Sequence, residues 1–135
     1  MSAESEYIAS ESANILQTIA MIAELLDKRD LTKYEIIALG KLLQDMYTGI
    51  ERILRTVLER RGIKTKRTES WHKELLAAAK EKSLISQDEF EAFRNLLLFR
   101  HIEIHGYAFM LDEKRLRQLA QPARALVRNF LARMT

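Results

Sequence analysis

Three histidines stand in this chain: His72, His101 and His105. Two of them fall in one eight-residue stretch, Arg100-His101-Ile102-Glu103-Ile104-His105-Gly106-Tyr107, beside the apolar run Leu96-Leu97-Leu98-Phe99. Imidazole has an ordinary pKa of about 6.5, so it exchanges protons at neutral pH. Residues four apart share a helix face, so His101 and His105 would be neighbours there. Metal ligation is one chemistry for such a pair. The zinc-protease pattern requires Glu directly after the first His, and Ile102 holds that place. No third ligand is evident nearby, and two imidazoles alone make an incomplete catalytic zinc site. Neither a metal nor a cofactor is expected.

Metal-free acid–base work is the other chemistry. Arginine keeps its charge and clamps two phosphate oxygens at once. An imidazole that takes the 2′-hydroxyl proton, with a guanidinium that holds the phosphorane charge, is a minimal toolkit for cutting RNA. The same cations would also suit a helix C-terminus, where positive charge is favoured. Residue types alone leave both readings open. Geometry adds a condition. Arg100 and His105 are five apart, about 140° around a straight helix. To act together they need a helix that loosens before Gly106, or a second chain that places two motifs in one cleft across an isologous interface.

The elements that would carry these residues are helical. Gly numbers 4 and Pro 1 in 135 residues, and Ala, Leu, Glu, Lys and Arg dominate, so helix breakers are scarce. Ile8, Ile15, Ile19, Ile22 and Leu26 form one stripe of a first helix, about Ser5 to Lys28, which ends at the Arg29-Asp30 joint. Leu39, Leu43, Met46, Ile50, Ile53 and Val57 form three heptads of a packing seam in a second helix, about Lys33 to Arg61. Gly40 and Gly49 inside it predict close approach of another helix. Gly62 suits a C′ position with positive φ.

A polar loop from Ile63 to Glu69 follows, and Ser70 is a candidate N-cap for a short helix, about Trp71 to Lys82. Ser86 and Glu89 have capping-box spacing for a fourth helix that carries Phe90, Phe93 and Leu97 inward and reaches about Gly106. Asp112 would cap a last helix with Leu116, Leu119, Leu126 and Phe130 on its apolar side. Pro122 predicts a kink or break there near Gln121. No segment alternates with period two. The expectation is therefore an all-α, antiparallel up-down bundle of about five helices.

Length and charge set the outer bounds. A chain of 135 residues is expected to form one domain, 1–135, with one real core. Zero cysteines exclude a disulfide scaffold, a thiolate metal site and a Cys nucleophile. No apolar run is long enough for a membrane span, and the acidic N-terminus lacks a signal pattern, so a cytoplasmic location is expected. The net charge of +3 is unevenly laid out. Residues 1–51 carry −5, 52–67 +6, 68–93 −3 and 94–135 +5. Two basic blocks suit an anionic partner or simply solvated helix faces.

Arg100-x4-His105-x-Tyr107 resembles the motif of HEPN domains of the HepT toxin group. Phe99-Arg100-His101 before it, Leu111-Asp112 after it and the upstream Trp71-His72 with Leu75-Leu76 resemble that family too. The similarity covers about Leu39 to Phe130. It implies a HEPN helical bundle that dimerises, with the motifs of both subunits in the dimer cleft. It also implies a metal-independent endoribonuclease toxin of a type VII-like toxin–antitoxin pair, with Arg100 and His105 catalytic and a 2′,3′-cyclic phosphate as product. The implied partner is an MntA-like minimal nucleotidyltransferase antitoxin that AMPylates Tyr107. An added phosphate would bring negative charge beside Arg100 and His105 and repel RNA.

His101 and Glu103 are supporting candidates, Glu103 through a pairing with Arg100. Trp71, His72, Lys64, Lys66 and Arg67 are candidate RNA contacts, Trp71 by stacking on a base and the cations by attracting phosphate. Arg115, Arg117, Arg124 and Arg128 form a further basic face. The alternative function is a non-catalytic HEPN module that binds a minimal nucleotidyltransferase or presents it with substrate.

Overall fold

A computed structural model of the chain describes residues 2–65, 68 and 70–135, and for 102–104 the backbone alone. Five α-helices and one 3₁₀ turn make up the regular structure of the described residues: α1 Ala3–Leu26, α2 Lys33–Arg60, α3 Trp71–Glu81, α4 Gln87–His105, the turn Ala108–Met110 and α5 Glu113–Met134. The bundle is antiparallel. α1 and α2 form the long hairpin of the frame, and α2 touches every other element. α3 lies against α2 and α4, and α5 lies against α1, α2 and α4.

The core follows from the stripes. Ile8, Ile15, Ile19, Ile22 and Leu26 of α1 are buried. So are all six seam residues of α2, from Leu39 to Val57. Gly49 lets these two helices close on each other. A Cβ built there would lie 2.6 Å from Ile15 Cγ1 and 2.8 Å from its Cδ1. α2 buries a second stripe as well, Tyr47, Glu51, Leu54 and Leu58, spaced to face α3 and α4.

Helix ends are fixed by identifiable devices. Thr32 and Glu35 form a capping box at the start of α2. Ser86 and Glu89 form another at the start of α4, as their spacing predicts. Gly62, at φ 79°, closes a Schellman motif after α2: its own N–H bonds Glu59 O at 2.9 Å, and the Ile63 N–H bonds Leu58 O at 3.0 Å. Ser83, at φ 59°, closes an equivalent motif after α3 without glycine.

Ser70 occupies the N-cap of α3 as expected, but its side chain makes no cap hydrogen bond to the backbone; the hydroxyl donates to Glu74 Oε1 at 3.1 Å instead. The break expected near Pro122 does not occur: α5 runs on through it from Glu113 to Met134, where Leu119, Ala120 and Ala123 are packed into the core and tertiary packing outweighs one lost backbone bond. Among the described residues no helix is long and apolar enough to cross a membrane.

Candidate active site

Glu51 is the centre of the site. It belongs to the second buried stripe of α2 and is 4% exposed. A carboxylate so far from water must be matched by donors or cations, and two elements supply them. His72, in the first turn of α3, brings its Nδ1 to 2.6 Å from Glu51 Oε2. Arg100, in the last turns of α4, brings its Nη1 to 3.6 Å from Glu51 Oε1. One carboxylate thus ties the motif arginine to a histidine 28 residues away in sequence. Tyr47 sits one turn before Glu51. Burial first, and then the neighbouring Glu51 charge, push the Tyr47 phenol far above its ordinary pKa, against the smaller opposing pull of Arg100. The buried Nε of Arg100 has no hydrogen-bond partner among the described residues.

His72 is also held from the side. Its ring centroid lies 3.8 Å from that of Trp71, and the Arg55 guanidinium carbon lies 4.5 Å from the Trp71 ring centroid. Trp71 is thereby packed between parts of α2 and α3, with the Arg55 charge against its π-system. The other side of His72 opens on a cleft of about 420 Å³ between α3 and α4. Ser70, at the N-cap of α3, and His72 and Lys73 of α3 line one side, and Leu97, Leu98 and His101 of α4 the other. Lys64 is exposed in the α2–α3 connection and lines a separate hollow with Trp71. Lys66 and Arg67 lie outside the described residues.

The motif itself divides in two. α4 stays helical through His105, and Gly106 leaves it in an extended conformation. The helix therefore does not loosen before the second motif residue. Arg100 turns inward to Glu51, whereas His101 and His105 are exposed and pack ring to ring, with centroids 4.6 Å apart. Tyr107 is 70% exposed, and its ring stacks on Phe109 at 5.6 Å and 14°. The Glu103 side chain lies outside what the structure describes, so its expected pairing with Arg100 does too. Among the described residues no group of three His, Asp or Glu side chains could hold a metal.

The basic face of α5 is partly committed elsewhere. Arg117 donates to Leu26 O at 3.2 Å and Lys28 O at 2.7 Å, and binds Glu113 at 3.0 Å. It caps the C-terminus of α1, so its charge serves the fold. Arg133 does similar work, binding Leu84 O and the buried Glu89.

A family of HepT-like proteins matches residues 38–135, from α2 through the motif to the end of α5. The chain belongs to the HepT-like family. The match fits the resemblance carried by Arg100, His105 and Tyr107 and contains every residue of the Glu51 cluster. Comparisons with curated proteins and with solved structures give no match. Glu51 is the central residue of this cluster that motif reading overlooks. Its signal was an acid at position i+4 from Tyr47 and i−3 from Leu54, inside an otherwise apolar stripe.

Proposed function

We propose that this HepT-like protein is an endoribonuclease toxin that works without a metal and is silenced by AMPylation of Tyr107. The observation that carries the reading is the family match across a complete Arg100-x4-His105-x-Tyr107 string. In the proposed reaction His105 takes the proton of an RNA 2′-hydroxyl, and Arg100 stabilises the charge on the phosphorane. The 2′-oxygen closes on phosphorus and the 5′-oxygen leaves, giving a 2′,3′-cyclic phosphate and a 5′-hydroxyl.

Arg100 and His105 diverge at the end of α4, one inward and one outward. That divergence supports a homodimer in which two α4 ends face each other and supply both groups to one phosphate. The outward-facing Tyr107 suits modification by a partner nucleotidyltransferase. A phosphodiester on its oxygen would place an anion beside the cations that RNA needs. The second reading, a non-catalytic binding module, draws on the exposed apolar group Leu98, Tyr107, Phe109 and Met110, which would suit a protein partner.

The deciding experiment incubates cellular RNA in EDTA with the purified chain, with Arg100→Ala and with His105→Ala. Cleavage by the wild type that both variants lose by about 10²-fold or more supports the reading. Intact RNA in all three, or equal cleavage by all three, refutes it and leaves the binding module. Intact-mass measurement after co-expression with a nucleotidyltransferase tests Tyr107 separately, with Tyr107→Phe as the control that should stay unmodified.

A further inference from the structure

The geometry points to His72, backed by Glu51, as a second proton-transfer residue, the general acid that protonates the departing 5′-oxygen of RNA. This inference rests on the endoribonuclease reading and extends it. A single motif provides one imidazole for the attacking oxygen and one guanidinium for the phosphorane. The leaving alkoxide needs a proton donor of its own, because its expulsion without a proton is slow; in a dimer cleft the candidates are the second motif and His72.

Four observations converge on His72. Its Nδ1 lies 2.6 Å from a carboxylate that is almost fully buried. That contact fixes the ring and assigns the Nδ1 proton to Glu51, so the other nitrogen, Nε2, is the one that exchanges protons with a ligand. Nε2 has no protein partner among the described residues. The ring is a quarter exposed, and the opening it meets is the cleft of about 420 Å³ that also holds His101 and Lys73. His101, the neighbour of Arg100 in the chain, in turn packs ring to ring on His105. Finally, Glu51 holds Arg100 on its second oxygen. The proposed phosphorane-binding group and His72 are therefore fixed to opposite oxygens of one carboxylate, which keeps His72 within reach of a phosphate bound by Arg100.

The charges around the ring are mixed. Glu51 faces the ring as a carboxylate, Lys73 and His101 share its cleft, Arg100 lies on the far oxygen of Glu51, and Arg55 is turned onto Trp71. In the proposed step the 2′-hydroxyl proton passes to His105, the 2′-O–P bond forms and the P–O5′ bond breaks. The Nε2 proton of His72 goes to the 5′-oxygen. Water then returns the two histidines to their starting states.

A leaving group that needs no proton separates this role from a structural one. The RNA cut by the wild type is synthesised with oxygen or with sulfur as the bridging 5′ atom at the cut site. His72→Asn keeps a donor near the Nδ1 position for Glu51 and removes the acid. It should cleave the oxygen substrate about 10²-fold or more slowly than wild type, yet the sulfur substrate within about threefold of it. His105→Ala should stay slow on both. Equal losses on both substrates in a variant that melts like wild type, or no loss on either, overturns the inference. If His72→Asn melts lower, the same ratio is read in His72→Gln. A wild-type chain that cleaves neither substrate refutes the endoribonuclease reading itself, whereas a cleaving wild type matched by both His72 variants refutes only the role of His72.

Discussion

The guanidinium of Arg100 and the carboxylate of Glu51 meet at 3.6 Å, joining the end of α4 to the middle of α2. The pair also answers for His72, so Glu51 balances two cationic or cation-forming groups from a nearly dry position. Removing it should leave both without a counter-charge. Glu51→Ala is expected to lower unfolding stability by about 2 to 4 kcal/mol, below the full range for buried pairs because Arg100 and His72 are partly solvated. Urea denaturation checks this, and a shift under about 0.5 kcal/mol would show that the acid carries little of the local structure.

Gly49 sets the distance between α1 and α2. A methyl group there overlaps Ile15 Cγ1 and Cδ1, and β-branched Ile15 has few rotamers with which to yield in a helix. Gly49→Ala is expected to destabilise by about 1 to 3 kcal/mol despite the better helix propensity of alanine. The double variant with Ile15→Ala should be less destabilised than the sum of the singles, because the second change makes room for the first. Thermal melts of the four proteins give the coupling, and strict additivity would contradict the contact.

Two helix ends share one geometry with opposite residue choices. At Gly62 nothing lies within 4 Å of a built Cβ, so Gly62→Ala tests the backbone alone and should cost about 1 kcal/mol. At Ser83 a side chain already occupies the left-handed region. Ser83→Gly should therefore raise stability, by about 0.5 to 1 kcal/mol after the added freedom of the unfolded chain is subtracted. Calorimetry should show melting temperatures that move in opposite directions.

Tyr47 should register at high pH. Its folded pKa is raised by burial and by Glu51, so the native state holds the phenolic proton longer than the unfolded state does. The associated stability is complete below the unfolded value of about 10 and declines as pH rises above it. In a spectrophotometric titration the Tyr47 phenol should ionise last, and only with unfolding. Tyr47→Phe should abolish that last step and reduce the alkaline sensitivity.

Much of the fold was legible because period and punctuation agreed. The α2 seam, the Ser86 capping box and the Gly62 turn each have a local cause that a sequence displays. Two local signals give less than their full meaning: Ser70 has a competing partner one turn on, Glu74, and Pro122 does not break α5 because its neighbours Leu119, Ala120 and Ala123 are packed into the core. The candidate site was half legible. Arg100, His105 and Tyr107 announce themselves by spacing. Glu51 does not, because a buried acid looks like a surface acid until the helices around it are placed. His72 gains its meaning only from Glu51.

The family match begins at residue 38, inside α2, and so omits α1. Yet α1 contributes Ile8, Ile15, Ile19, Ile22 and Leu26 to the core, and its last turn is gripped from α5 by Arg117. Family resemblance and foldability therefore have different borders here. A fragment cut at residue 38 would retain every named motif while exposing the long apolar seam of α2. The recognisable portion borrows its solidity from a helix that bears none of the family's signature.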